Sequence, residues 1–241
     1  QNQLPLQRFV DLDGVEKTAL QIVIEEVIAA DIEEIAIVVQ PDDDAAYSEA
    51  AGEYGRILTF IEQPEPRGYG DAIYRAAGFV NGSPFLHLVS DHLYISGEKR
   101  RCAQQLVETA RREDCSVSAV QPTRESMLPY YGAIGGRRVE ASSNLYIVEN
   151  VLEKPTPTEA EQRLLVPGFR AGHYLCLFGM HVLTPPVMDI LRDLLNSEEQ
   201  PYLAPALAQL AQRERYLALQ IDGVRYNLGI HYGALIAQLA L

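Results

Sequence analysis

Apolar residues recur at helical spacing through residues 17–30, where Leu20, Val23, Ile24, Val27 and Ile28 fall on one stripe. That stripe predicts an amphipathic helix. The run Ile35-Ala36-Ile37-Val38-Val39 follows without a polar interruption and predicts a buried parallel strand. Pro41 and three aspartates then open a helix over 45–51. A strand over 56–61, an Ala-rich helix over 70–79 and a strand over 85–90 come next. An amphipathic helix over 99–113 and a strand over 116–121 complete the first half. This alternation predicts a parallel sheet with crossover helices. A doubly wound sheet usually has a strand ahead of its first helix, and none stands before residue 17. The expectation is that an opening strand is missing from a sequence that begins at Gln1, within a larger product or a shortened record.

The second half changes character. Strands are predicted over 131–136 and 146–152, with Gly135-Gly136-Arg137-Arg138 as the turn separating them. A further strand is predicted over 174–182. Helices follow over 185–195, with Pro185 near its start, and over 202–213. A strand over 216–221 and a helix over 231–241 end the chain. No internal repeat or low-complexity linker divides the sequence, so the reading is one domain over 1–241, with halves 1–125 and 126–241.

Composition narrows the function. Of 241 residues, 47% are apolar, enough to bury a sizeable core. The formal charge of −13 argues against a nucleic-acid backbone as partner, which needs a basic face. It does not exclude a single nucleotide, because a pocket can hold a divalent cation. Cys102, Cys115 and Cys176 form neither a disulfide framework nor a zinc spacing, and they point to a reducing, cytoplasmic setting. No apolar run approaches a membrane span, and no signal peptide is present.

Four segments carry candidate chemistry. Gln63-Pro64-Glu65-Pro66-Arg67-Gly68-Tyr69-Gly70-Asp71-Ala72 lies between a strand and a helix. Its glycines allow a ligand close to the backbone, but the same composition suits an ordinary strand-to-helix loop. Asp91, in Ser90-Asp91-His92, stands at the end of a parallel strand, where open α/β sheets bind ligands. It suits Mg²⁺, or else caps the next segment; His92 reads as a structural histidine. In Glu153-Lys154-Pro155 both charges either face solvent or project into a cleft, where the lysine suits a phosphate. Arg225-Tyr226-Asn227-Leu228-Gly229 reads, alone, as a turn. The other histidines (87, 173, 181 and 231) make no metal-ligand spacing, and neither a nucleophile elbow nor a P-loop is present.

Taken together and in order, these segments resemble the sugar-1-phosphate nucleotidyltransferases, above all the glucose-1-phosphate uridylyl- and thymidylyltransferases. The resemblance runs from Ile24-Glu25-Glu26-Val27-Ile28-Ala29-Ala30 through Ile37-Val38-Val39, Gln63-Pro64 with Gly68, and Asp91. It continues through Tyr131-Gly132, Glu153-Lys154-Pro155 and Leu183-Thr184-Pro185 to Tyr226-Asn227-Leu228-Gly229. It implies an α/β fold with a Rossmann-like, mostly parallel mixed sheet flanked by helices. The first half would bind nucleotide and the second half sugar. Gln63, Gly68 and Gly70 would read the base of UTP or dTTP. Asp91 and Asn227 would hold Mg²⁺. Tyr131, Gly132, Glu153 and Gly179 would bind the sugar, and Lys154 its phosphate. The implied reaction joins a nucleoside triphosphate to a sugar 1-phosphate, glucose 1-phosphate foremost, and releases pyrophosphate. Positioning and charge neutralisation are the physics of that step. The partners would be these two substrates, with no membrane and with a homo-oligomer as one option for the apolar residues Leu235, Ile236, Leu239 and Leu241.

Three departures accompany the resemblance. The family's opening glycine-rich loop does not precede Leu4-Pro5. The segment Leu6-Gln7-Arg8-Phe9-Val10-Asp11 has no lysine, leaving Arg8 or Lys17 as the substitute charge. Asn227 stands where the family has a second metal carboxylate, with Asp222 as a nearby alternative. These departures keep a second reading open: a domain that binds or senses a nucleotide sugar without turnover. A glycosyltransferase is a third, since Asp11-Leu12-Asp13 has the spacing of its metal motif but lies before the first helix.

Overall fold

The computed structural model describes residues 3–197 and 202–241. In chain order it begins with strands β1 (Arg8–Val10) and β2 (Glu16–Thr18), helix α1 (Ala19–Ile28), strand β3 (Ile35–Val39) and helix α2 (Asp44–Ala51). Strand β4 (Leu58–Glu62), helices α3 (Tyr69–Arg75) and α4 (Ala77–Val80), and strands β5 (Phe85–Leu88) and β6 (His92–Ser96) follow. Next come helix α5 (Cys102–Glu113) and strands β7 (Ser116–Arg124), β8 (Ala133–Arg138) and β9 (Leu145–Leu152). Helix α6 (Pro157–Arg163), strand β10 (His173–Leu183), helices α7 (Pro186–Asn196) and α8 (Leu203–Arg213), strands β11 (Tyr216–Gln220) and β12 (Gly223–Asn227) and helix α9 (Gly233–Ala240) complete it. The α/β class with mixed sheets flanked by helices is as the sequence leads one to expect, but the expectation of a mostly parallel sheet is corrected: β3–β4 and β7–β11 pair in parallel, while β6–β12, β7–β10, β8–β10, β8–β9 and β9–β11 pair antiparallel.

The chain packs as two compact units, each drawn from separated stretches. The first takes the chain up to Glu65, Leu88–Val107 and Asp222–Leu241; the second takes Pro66–His87 and Glu108–Ile221.

In the first unit, α1 starts at a capping box. Thr18 Oγ1 accepts from the Gln21 backbone N–H, and the Gln21 side chain accepts from the Thr18 N–H. This arrangement satisfies two of the donors that a helix start leaves open. The buried face of α1 meets Phe9, Leu93, Leu228 and Ala237 on one side and Ala51, Ile35 and Leu58 on the other. Strands β3 and β4 pair in parallel, Ile35 opposite Leu58. Strand β12 pairs antiparallel with β6, placing Asn227 opposite His92 and Gly223 opposite Ser96. The reading of residues 225–229 as a turn is therefore corrected. Residues 223–227 are a strand because β6 supplies the backbone partners that the local sequence does not reveal, and the chain turns only afterwards.

The second unit is built on a sheet in the order β5-β10-β7-β11-β9-β8. Strands β7 and β11 run parallel, Tyr216 opposite Ser116, while β10, β9 and β8 join antiparallel. Strand β8 also pairs with the first half of β10, Leu175 opposite Ile134. Residues 135–138 belong to β8 rather than to a turn, and β8 bends at Gly135/Gly136. A Cβ on Gly136 would lie 2.0 Å from the Ile147 carbonyl oxygen, so only glycine lets the strands pass there. Helices α7 and α8 close one face over a core that includes Val120, Tyr146, Leu183, Leu191 and Leu207. Leu203 through Arg213 places Leu203, Ala206, Leu207 and Leu210 on its buried stripe, as the helical spacing predicts.

Candidate active site

Asp91 lies in the tight turn between β5 and β6; the strand before it ends at Leu88, earlier than its apolar run suggests. Its backbone carbonyl accepts from Leu228 N at 2.8 Å, which ties the turn to the end of β12. The neighbouring His92 ring, 8% exposed, meets Asp91 Oδ1 through Nδ1 at 2.6 Å. Burial opposes ionisation of Asp91, but the hydrogen bond and charge of His92 outweigh it and hold the carboxyl below its usual value. His92 is thus the structural histidine expected from sequence, and its task is to orient this carboxylate.

Asn227 ends β12. Its Oδ1 accepts from Gly229 N at 2.8 Å, an Asx turn that fixes the amide's direction. A Cβ added to Gly229 would lie 3.2 Å from Asn227 Oδ1 and 3.7 Å from Asp91 Oδ2. The carboxylate and the amide oxygen therefore flank the same small space, which the absence of a side chain at Gly229 leaves free. Gly233, at the start of α9, completes the frame: a Cβ there would lie 2.0 Å from the Asn227 carbonyl oxygen. A cleft of about 510 Å³ adjoins Gly229, lined by Leu4, Gln7, Leu228 and Ile230 among others.

This pair fits a magnesium-like cation. One carboxylate oxygen and one amide oxygen are hard ligands, and such an ion keeps several waters and substrate phosphates as its remaining ligands. No group of three or more His, Cys, Asp or Glu stands ready for a metal among the described residues, so an all-protein cage is not the arrangement here. Asp222 does not supply the missing carboxylate. It sits at the opposite end of the β6–β12 pairing, its backbone held by Gly97 N and the Gln105 side chain and its Oδ1 against Gly97.

The basic residues near the chain start are occupied. Lys17, 14% exposed at its side chain, meets Asp11 at 2.7 Å, Asp13 at 2.8 Å and Glu25 at 2.9 Å. Burial works against its charge, but these carboxylates outweigh it and raise its pKa. Asp11 and Asp13 are thereby consumed, so the Asp-x-Asp spacing there is a lysine clamp. Arg8 lies on β1 in an exposed pair with Glu16 at 3.0 Å. Such a pair holds it weakly, by about 0–1 kcal/mol, and an anionic ligand would displace it at little cost.

The loop after β4 is anchored at Gln63, whose N–H donates to Val39 O at 2.8 Å. That residue belongs to the first unit, and Gly68 and Gly70 to the second. Gly68 has φ 110° and precedes α3, a conformation that demands glycine. Gly70 is buried within the first turn of α3, and Asp71 beside it is fixed by Arg75 at 3.0 Å.

Of the expected sugar set in the second unit, Gly132, just before β8, and Glu153, just after β9, meet beside Leu177 of β10. A Cβ on Gly132 would lie 2.9 Å from Leu177 Cδ1 and 3.1 Å from Glu153 Oε2, so the Glu153 carboxylate fills the space beside the glycine. The Gly132 carbonyl accepts from Leu177 N at 2.8 Å. Tyr131 immediately precedes this contact. Gly179, φ 84°, stands two residues beyond Leu177, where β10 bulges between Leu177 and His181. Burial pushes the Glu153 carboxyl up, and the Lys154 charge offsets part of that rise. Lys154 adopts φ 44°, a left-handed backbone that a side chain resists by roughly 1–2 kcal/mol.

The family model of nucleotidyl transferase matches residues 10–225. The chain belongs to the nucleotidyl transferase family. A UTP–glucose-1-phosphate uridylyltransferase of Streptococcus pneumoniae is 32% identical over 73% of the chain and 56% of that protein. A UTP–glucose-1-phosphate uridylyltransferase of Streptococcus pyogenes is 28% identical over 91% of the chain and 76% of that protein. The chain therefore matches little more than half of the first of these nucleotidyl transferases. Among solved structures, a UDP-glucose pyrophosphorylase complexed with UDP-glucose superposes with a TM-score of 0.78 at 24% identity, over 93% of this chain and 86% of that one. An apo UDP-glucose pyrophosphorylase gives 0.81 at 21% identity, over 98% and 89%. These likenesses establish the nucleotidyltransferase fold.

Sequence reasoning named Gly229 and His92 but not what they do, and it missed Gly233. Gly229 and Gly233 matter for the space beside their Cα atoms, and His92 matters through its neighbour. A glycine at each end of the short segment after Asn227 was the one hint the sequence held.

Proposed function

We propose that this nucleotidyl transferase makes UDP-glucose, or a closely related nucleotide sugar, from UTP and glucose 1-phosphate. An oxygen of the sugar phosphate attacks the α-phosphorus of UTP. The bond from that phosphorus to the bridging oxygen breaks, and pyrophosphate leaves. The observation that carries this reading is the approach of the Asp91 carboxylate and the Asn227 amide oxygen to one point beside Gly229. The relatives named as UTP–glucose-1-phosphate uridylyltransferases support the substrate pair.

In this reading Asp91 and Asn227 hold Mg²⁺, which would neutralise charge on the transferring phosphoryl group. His92 keeps Asp91 ionised and aimed. Gln63, Gly68 and Gly70 read the uracil base, with Gly68 allowing close backbone approach. Tyr131, Gly132, Glu153 and Gly179 bind sugar hydroxyls. Glu153, with its carboxyl raised by burial, accepts or donates there. Lys154 meets the sugar phosphate as a point charge, and Arg8 leaves Glu16 for the triphosphate. We place the protein in the cytoplasm, a reducing setting that suits its three free cysteines. The exposed Leu235, Ile236 and Leu239 of α9 support self-association.

The test is pyrophosphate release across UTP, dTTP, CTP, ATP and GTP, each with glucose, galactose, mannose and N-acetylglucosamine 1-phosphates, with and without Mg²⁺. Metal-dependent release from UTP and glucose 1-phosphate above the other pairs is expected. Silence from folded protein that still binds UDP-glucose would replace transfer by binding alone.

A further inference from the structure

A chain of polar side chains runs through the interior of the second unit. Tyr69, the first residue of α3 and 38% exposed, points its hydroxyl at His87 Nε2, 2.5 Å away, with the two rings 5.6 Å apart and tilted. His87 lies on β5 and stacks on His181 of β10 at 5.9 Å, the ring planes 13° apart. His181 Nδ1 meets Ser118 Oγ of β7 at 2.5 Å, and the same hydroxyl meets the Tyr216 hydroxyl of β11 at 2.5 Å. His181, Ser118 and Tyr216 are 2%, 0% and 1% exposed.

This arrangement is costly to keep for packing alone. Buried polar groups that are fully partnered add little net stability over apolar ones, but they fix geometry. Four neighbouring strands contribute one member each; His87 is half-buried, and the exposed end of the chain is the tyrosine directly after Gly68. Both histidines are held neutral at neutral pH, since burial lowers His87 to about 4 and His181 to about 3. A neutral His87 can present Nε2 as an acceptor, so the Tyr69 hydroxyl donates to it.

We propose that Tyr69 and His87 are positioning residues for nucleotide binding: they tie the turn at Gly68 to the sheet, so that the loop is already in place before the base arrives. This rests on the reading of residues 63–72 as the base-reading loop. Preorganisation of this kind acts on affinity rather than on the chemical step.

The loop carries its own reporter, because exposed Arg67 precedes Gly68 and is a trypsin site. Tyr69→Phe removes only the hydroxyl, His87→Leu removes the acceptor, and His87→Gln returns a polar atom near the Nε2 position. Cleavage after Arg67 is followed by mass spectrometry in each folded variant, alone and over a UTP series. Loss of one neutral hydrogen bond should speed the cut roughly 3- to 10-fold and raise the UTP needed for protection by a similar factor. Tyr69→Phe and His87→Leu show this, and His87→Gln recovers much of it. In turnover, KM for UTP rises while kcat and KM for glucose 1-phosphate stay within about twofold. An unchanged cut or an unchanged UTP midpoint in Tyr69→Phe overturns the proposal, as does a wild-type protein that UTP does not protect. Wild-type protein that UTP protects but that releases no pyrophosphate sinks the proposed function and leaves the positioning role standing.

Discussion

Asn227→Asp is the most informative single change to the first unit. The substitution is isosteric and retains the oxygen that accepts from Gly229 N at 2.8 Å, so the turn after β12 persists. Asn227 Oδ1 and Asp91 Oδ2 both lie within 4 Å of the space beside Gly229, at 3.2 and 3.7 Å, so they are at most about 7 Å apart. Two carboxylates about 7 Å apart repel by about 0.6–2.4 kcal/mol for effective dielectric constants between those of water and a protein surface. The metal-free variant should lose stability accordingly. A divalent cation seated between them reverses the sign, because it carries two charges and lies closer to each carboxylate than they lie to one another. The net gain should reach at least about 1.4 kcal/mol, a tenfold fall in the Mg²⁺ concentration needed for half-maximal activity. The assay is pyrophosphate release over a Mg²⁺ series, paired with thermal melts with and without the metal. An unchanged Mg²⁺ midpoint together with an unchanged metal-free melt would refute the placement of the cation at this pair.

Three further outcomes follow from the second unit. Gly132→Ala puts a methyl 3.1 Å from Glu153 Oε2, so KM for the sugar 1-phosphate should rise several-fold while UTP binding is spared; substrate titrations separate the two. Lys154→Asn keeps a residue that tolerates φ 44°, so its melting temperature should hold while turnover falls by at least about tenfold. Stability should drop with acid. His87 and His181 bind protons more weakly folded than unfolded, so their contribution is complete above pH 6.5 and falls as pH drops toward about 4. In that window each costs about 1.4 kcal/mol per pH unit, and denaturant midpoints of His87→Gln should show close to half the wild-type slope.

Much of this architecture was legible in the sequence because it depends on local pattern. The stripe Leu20, Val23, Ile24, Val27 marks α1, and the β-branched run at 35–39 marks β3. Asp91 was legible as a candidate ligand because it follows an apolar strand, where open α/β sheets bind ligands. What could not be read were pairings between distant segments. Strand β12 looks like a turn until β6 lies beside it, with Asn227 opposite His92. Lys17 looked like a free charge because nothing local says that Asp11, Asp13 and Glu25 surround it. His87 and His181 have no metal-ligand spacing, and only the adjacency of β5 and β10 makes them a pair. Glycines acting through empty space, Gly132 and Gly229 above all, carry no sequence signature beyond their own identity.

The most direct measurement compares wild type with Asp91→Asn for pyrophosphate release from UTP and glucose 1-phosphate at saturating Mg²⁺. Asparagine keeps the size of the side chain and its acceptor toward His92 while removing the charge. A fall of at least about 100-fold, in a protein that melts as wild type does, is the predicted result. Wild-type turnover in Asp91→Asn would contradict the assignment of this carboxylate to the metal and, with it, the reaction proposed for the site.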